Sequence, residues 1–179
     1  MKNKILITFI FIINILALPL NIDNNLLKWV ILSLSIFIPT IIKLKISINN
    51  YVETLYLILI FFSFTLGRLY NLYDKIYWYD TLVHSISGIL VFLFAIYIIN
   101  KYSKEKNKYI KIIFAITINT FIDVLWECIE LFSDYIFNTN MMKIPETGVL
   151  DTMKDLSVAC IFSIITSFFY LKKMKKIKK

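Results

Sequence analysis

Asp123, Glu127 and Glu130 recur at i, i+4 and i+7 within FIDVLWECIELFSDY, residues 121–135. At helical period these three carboxylates form one stripe. Two further pairs have same-face spacing: Asp80 with His84, and Asp151 with Asp155. Carboxylates and imidazole are the groups that hold divalent cations and that serve as general acids and bases. Here they stand in or at the edge of apolar stretches. A charge at the centre of a bilayer costs about 2.5–3.5 kcal/mol on insertion scales, so such groups face a protein interior or a water-filled cavity. Six carboxylates close together cannot all stay ionised without help. Some are protonated, or some pair with His84, Arg68 or Lys154, or the group binds a cation. The metal-ligand candidates are His84, Asp80, Glu127, Glu130, Asp151 and Asp155. The acid–base candidates are Glu127, Glu130, His84 and Asp155. The cofactor implied is a divalent metal cation, whose identity the sequence leaves open.

The elements that carry these residues are apolar helices. Of 179 residues, 59% are hydrophobic and 18% charged. Soluble domains average about 45–50% apolar and about 25% charged, so the class is a membrane protein. The length fits a single domain over 1–179. Apolar segments at about 5–20, 26–42, 52–69, 80–99, 110–132 and 151–171 predict an all-α bundle of six transmembrane helices. The first segment ends at Pro19 and has no small-x-small cleavage site, so it reads as a retained helix, with a turn over 21–28. Residues 70–79, YNLYDKIYWY, read as an interfacial loop or short surface helix. Gly67 reads as a helix end, and Pro145 and Gly148 break the connector before the last span.

Lysine placement predicts orientation. With the N-terminus cytoplasmic, the inside holds Lys2, Lys4, Lys43, Lys45, five lysines over 101–111 and six over 172–179. The outside holds Lys28, Arg68, Lys75 and Lys143. Cytoplasmic loops carry the Lys/Arg excess, so both termini face the cytoplasm of a multi-pass cell-membrane protein. The same bias accounts for most of the net charge of +8, which therefore does not point to nucleic acid. The lysine tail has anionic membrane lipid as its partner, at about 1 kcal/mol per basic residue. In this topology Asp80, His84, Glu127, Glu130, Asp151 and Asp155 share the outer half of the membrane, with Asp123 deeper.

Several chemistries are excluded. One histidine rules out H-E-x-x-H zinc sites and two-histidine lipid phosphatases. Ser85-Ile86-Ser87-Gly88 lacks the first glycine of an intramembrane serine-protease motif. Cys128 and Cys160 fall in apolar segments and read as small buried residues. Cys128 also stands among carboxylates, which raise a thiol's pKa and disfavour a nucleophile.

YDTLVHSISGIL (79–90), DVLWECIEL (123–131) and GVLDTMKDLSVA (148–159) resemble, in order, three motifs of the YjdF-like bacterial integral membrane proteins. More loosely the chain is similar to the VanZ-like membrane proteins. The resemblance implies a helical membrane fold and matches Asp80, His84, Gly88, Glu127, Glu130, Asp151 and Asp155. The chain departs from the pattern at Val149 and at Arg68, where the resemblance leads one to expect a polar residue and a histidine.

Three functions remain open. The first is a cation-dependent site at the extracytoplasmic side, acting on or binding a lipid, envelope-associated or other small-molecule ligand. The second is a small proton- or ion-coupled transporter, and the third a structural or accessory membrane protein. For the third, the carboxylates are a hydrogen-bonded network between helices, where such bonds average only about 0.6 kcal/mol. His84 alone could be a packing donor, Gly88 a close helix contact, and Trp126 a lipid-facing or packing residue. Oligomeric state is not legible.

Overall fold

Ser35 and Phe62 each offer a backbone carbonyl to a tyrosine hydroxyl, and in both cases an interruption of the helix is the reason. The computed structural model describes residues 2–20, 22–43, 49–137, 140–142 and 149–177, and among these all regular structure is helical. Pro145 and Gly148, read as breakers, lie outside the described residues, as do Lys45 and Lys143. Four helices are long and apolar enough to cross a membrane: Asn50–Leu69, Tyr79–Tyr102, Lys108–Ile136 and Leu150–Met174. Asn3–Leu16 and Trp29–Ile42 are apolar but shorter.

Residues Met1–Val83 form one compact unit. Helix α1 (Lys2–Leu16) stops at Ala17, and a 3-10 turn, Leu18–Leu20, carries Pro19. Helix α2 already begins at Ile22 and runs to Leu34, where a turn over 21–28 was expected. The tight turn around Pro19 reverses the chain, and no glycine or proline follows to prevent a new helix. A second 3-10 turn, Ser35–Phe37, precedes α3 (Ile38–Lys43). Its cause is Pro39, which lacks an N–H to give and whose ring clashes with the carbonyl four residues back. That carbonyl belongs to Ser35 and accepts a hydrogen bond from the Tyr56 hydroxyl at 3.0 Å.

Helix α4 (Asn50–Ile60) is capped by Asn49, whose side chain accepts from the Tyr51 N–H. Near its start Asn3 donates to the buried Glu53, and Thr54 donates to Asn3 at 3.0 Å. Helix α4 continues as a π-helical segment, Phe61–Leu69. Its last bond runs i to i−5, from Tyr70 N–H to Thr65 O. Wider turns displace carbonyls from the α-helical ladder. The Phe62 carbonyl takes the Tyr79 hydroxyl at 2.8 Å. Gly67 is not a helix end: it lies within this segment, and a Cβ there would stand 2.2 Å from the Tyr73 ring. Arg68 lies over that same ring, 4.6 Å from its centroid. Asn71 turns the chain with φ of 56°, a left-handed conformation asparagine tolerates. The short helix α5 (Leu72–Lys75) follows, within the stretch read as interfacial. Ile10, Ile36, Leu57 and Ile60 form the apolar centre of this unit. Tyr79→Phe should lower stability by about 1 kcal/mol, the net worth of one such hydrogen bond, read as a lower midpoint of thermal unfolding. An unchanged midpoint would show that the Phe62 carbonyl gains nothing from the hydroxyl.

Residues His84–Lys179 form the second unit. It contains most of α6 (Tyr79–Tyr102), then α7 (Lys108–Phe137) and α8 (Leu150–Ile177). The Asn107 side chain caps α7 by accepting from the Tyr109 N–H. Phe92, Ala95, Ile96, Ile112 and Ala115 make the apolar centre of this unit, with the Tyr170 ring edge-on to Phe92.

Candidate functional site

One face of α7 is buried from Ile112 and Ala115 through Asn119, Asp123, Glu127 and Glu130. Its first turns are apolar and its later turns polar, all at i, i+3 or i+4. The buried face of α8 repeats at four residues: Asp151, Asp155, Ala159, Ser163 and Ser167. Both stripes follow from helical period, and small residues on α8 let the neighbouring helices approach. One close approach is at Gly88 of α6, where an added Cβ would lie 2.4 Å from the Ala159 carbonyl oxygen. Asn119 of α7 donates its side-chain amide to that same oxygen at 3.4 Å. Three helices thus meet at Ala159. On one side lies the apolar cluster around Phe92. On the other, one turn before Gly88, lies His84.

His84 is surrounded by carboxylates from two other helices, all more than nine-tenths buried. Its Nδ1 is 3.3 Å from Asp123 Oδ1. Its Nε2 is 3.9 Å from Glu127 Oε1 and 4.0 Å from Asp155 Oδ2. The first separation is that of a long hydrogen bond. The other two are too long for hydrogen bonds. Asp123 Oδ2 is buried with no hydrogen-bond partner among the described residues. A carboxylate holding one ring nitrogen of a histidine, so that the other nitrogen points at a cation, is the usual outer support of a metal-bound imidazole. Metal–ligand bonds of about 2.0–2.2 Å set neighbouring ligand atoms at roughly 3–4 Å, close to the spacing seen around Nε2.

The remaining sequence candidates are placed as follows. Asp80 precedes His84 by one turn on α6, so the helix itself presents both on one face. Asp151 accepts from Lys154 Nζ at 2.6 Å, and the same ammonium is 3.6 Å from Asp155 Oδ1. Glu130 accepts from the Trp126 indole N–H at 3.0 Å, which makes Trp126 a hydrogen-bond donor to the acidic stripe. Arg68 is engaged with Tyr73 in the first unit. Cys128 is exposed, one position off the inward stripe, so the expectation of a buried thiol fails there; Cys160 is half-buried, and both are free. Two residues gain parts the sequence reading did not give them. Asp123 is the hydrogen-bond partner of His84. Asn119, four residues before Asp123, extends the polar stripe and binds Ala159, and only its spacing signalled it.

A family model described as a predicted membrane protein, DUF2238, matches residues 3–176. No curated protein and no solved structure matches the chain.

Proposed function

We propose that this chain, which belongs to the DUF2238 family of predicted membrane proteins, carries a divalent-cation site built on His84 Nε2, Glu127 and Asp155. Asp123 orients the imidazole. The observation that carries the reading is the Nε2 atom facing two carboxylate oxygens at 3.9 and 4.0 Å while Nδ1 is held at 3.3 Å. Asp151 and Glu130 are in addition hydrogen-bonded by Lys154 and Trp126. A bound cation would act as a Lewis acid or lower the pKa of a bound water.

The wider reading is a six-span protein with both termini cytoplasmic, the two shorter apolar helices counting as spans. The lysine distribution supports it, and it sets the site in the extracytoplasmic half, where a lipid or envelope-associated ligand is the substrate class. The motif resemblance to the YjdF-like proteins is in keeping with this. A transport path is less well supported, because in the second unit the polar group ends at the helix crossing. Beyond Ala159 the buried Ser163 and Ser167 donate to carbonyls of their own helix, and the facing cluster is apolar.

Elemental analysis of the detergent-purified protein tests the reading. The wild type should carry about one divalent ion per chain and Glu127→Gln/Asp155→Asn none; a metal-free wild type after reconstitution with Mn²⁺ or Zn²⁺ sinks it. Asp123→Asn should weaken binding about 10–100-fold without abolishing it, the usual loss for an outer-shell partner. Titration with Zn²⁺ would show this, and wild-type affinity in Asp123→Asn would remove the orienting role.

A further inference from the structure

Lys154 is a cation in direct contact with the acidic group of the second unit. It belongs to the same helix as the carboxylates it touches. Its Nζ lies 2.6 Å from Asp151 Oδ1, at i, i+3, and 3.6 Å from Asp155 Oδ1. Its side chain is about two-fifths exposed, whereas those of Asp151 and Asp155 are almost fully buried. The ammonium therefore reaches from the rim of the group into it. Asp155 is shared: one oxygen is beside Lys154 and the other, 4.0 Å from His84 Nε2, faces the space assigned to the cation.

We propose that Lys154 is a tethered counter-ion of the site, paired with Asp151 and Asp155 when no metal is bound and competing with the divalent ion for Asp155. This rests on the divalent-cation reading above and adds how the site's affinity is set. The physical argument is charge balance. A carboxylate neutralised by an ammonium has less field to offer a metal, and a positive charge a few ångströms from the ion repels it at the low effective dielectric of a buried site. The flexible four-carbon stem lets the ammonium withdraw toward solvent when the ion arrives. Asp151, released from Lys154, then stands one turn from Asp155 as a reserve ligand on the same face.

Zn²⁺ and Mn²⁺ titrations of the detergent-purified full chain test this, with Lys154→Met beside Lys154→Arg. Lys154→Met should bind either ion at least tenfold more tightly than wild type. Lys154→Arg, which keeps the charge, should stay within about threefold of wild type. Wild type that binds metal while Lys154→Met binds equally or more weakly overturns the inference and leaves the metal site standing. No binding by wild type and both variants overturns the metal reading and the inference with it. Should Lys154→Met fail to fold, Lys154→Gln, which keeps a hydrogen-bond donor for Asp151 without the charge, takes its place with the same expected tightening.

Discussion

A chelator should lower the thermal midpoint of the wild-type protein in detergent by about 5–10 °C and leave Glu127→Gln/Asp155→Asn unmoved. A ligand at a hundred times its dissociation constant stabilises the folded state by about 2.7 kcal/mol. For a chain of this size each kcal/mol moves the midpoint by roughly 2–4 °C. The double substitution removes two of the buried carboxylates around His84. It therefore also relieves repulsion that the metal-free wild type must bear. Without metal, then, the variant should melt higher than the chelated wild type. The sign of the pH dependence follows as well. Ligands must be deprotonated to bind, so the metal-dependent part of the stability is present near neutrality and is lost as pH falls. A wild type indifferent to chelator, with a more stable variant, would mean carboxylates confined at a cost with no ion to hold them. Gradient-driven proton flux in liposomes, with Asp123→Asn as control, would then be the next measurement.

Gly88→Ala should destabilise the protein by about 1–3 kcal/mol, the usual cost of overpacking. Helix propensity alone predicts the opposite, since alanine is about 1 kcal/mol better than glycine inside a helix. The new methyl would meet the Ala159 carbonyl at 2.4 Å, and that partner is backbone rather than a side chain that can swing aside. Helices α6 and α8 must part by about 1 Å to restore ordinary contact. Gly88→Val should cost more. Because His84 is one turn away on α6 and Asp155 one turn away on α8, the same displacement widens the space at Nε2, and metal affinity should fall with the melting midpoint. A Gly88→Ala protein as stable as wild type, or more so, would mean the crossing is looser than 2.4 Å implies.

The helical class and the two acidic stripes were legible because both rest on periodicity alone: 123, 127 and 130 on α7, and 151 and 155 on α8. Which carboxylate binds His84 was not. Asp123, Glu127 and Glu130 are equivalent on one stripe, and the choice is made by the height at which α6 crosses, set by Gly88 against Ala159. The engagement of Glu130 by Trp126 was hidden for a similar reason, since an indole at i+4 spacing reads equally well as packing. The π-helical turns of Phe61–Leu69 leave no trace in composition, and the hydroxyl that takes up their Phe62 carbonyl belongs to Tyr79, on a later helix. The early start of α2 was missed because Asn21, Asp23, Asn24 and Asn25 look like a turn, although Leu18–Leu20 had already completed it.

The pairing of Lys154 with Asp151 within one helix bears on how the protein is made. Chains enter the membrane from the N-terminal end, so α8 arrives after α6 and α7, and its acidic end must be tolerated before its neighbours close around it. An intrahelical ion pair carries its own neutralising charge through that step and lowers the cost of insertion. The α7 stripe has no lysine or arginine of its own among Asp123, Glu127 and Glu130. His84, on the helix synthesised immediately before it, lies 3.3 Å from Asp123 Oδ1 and 3.9 Å from Glu127 Oε1. The order of the sequence thus supplies each acidic helix with a partner at the moment of its insertion: α7 finds one already in place, and α8 brings its own.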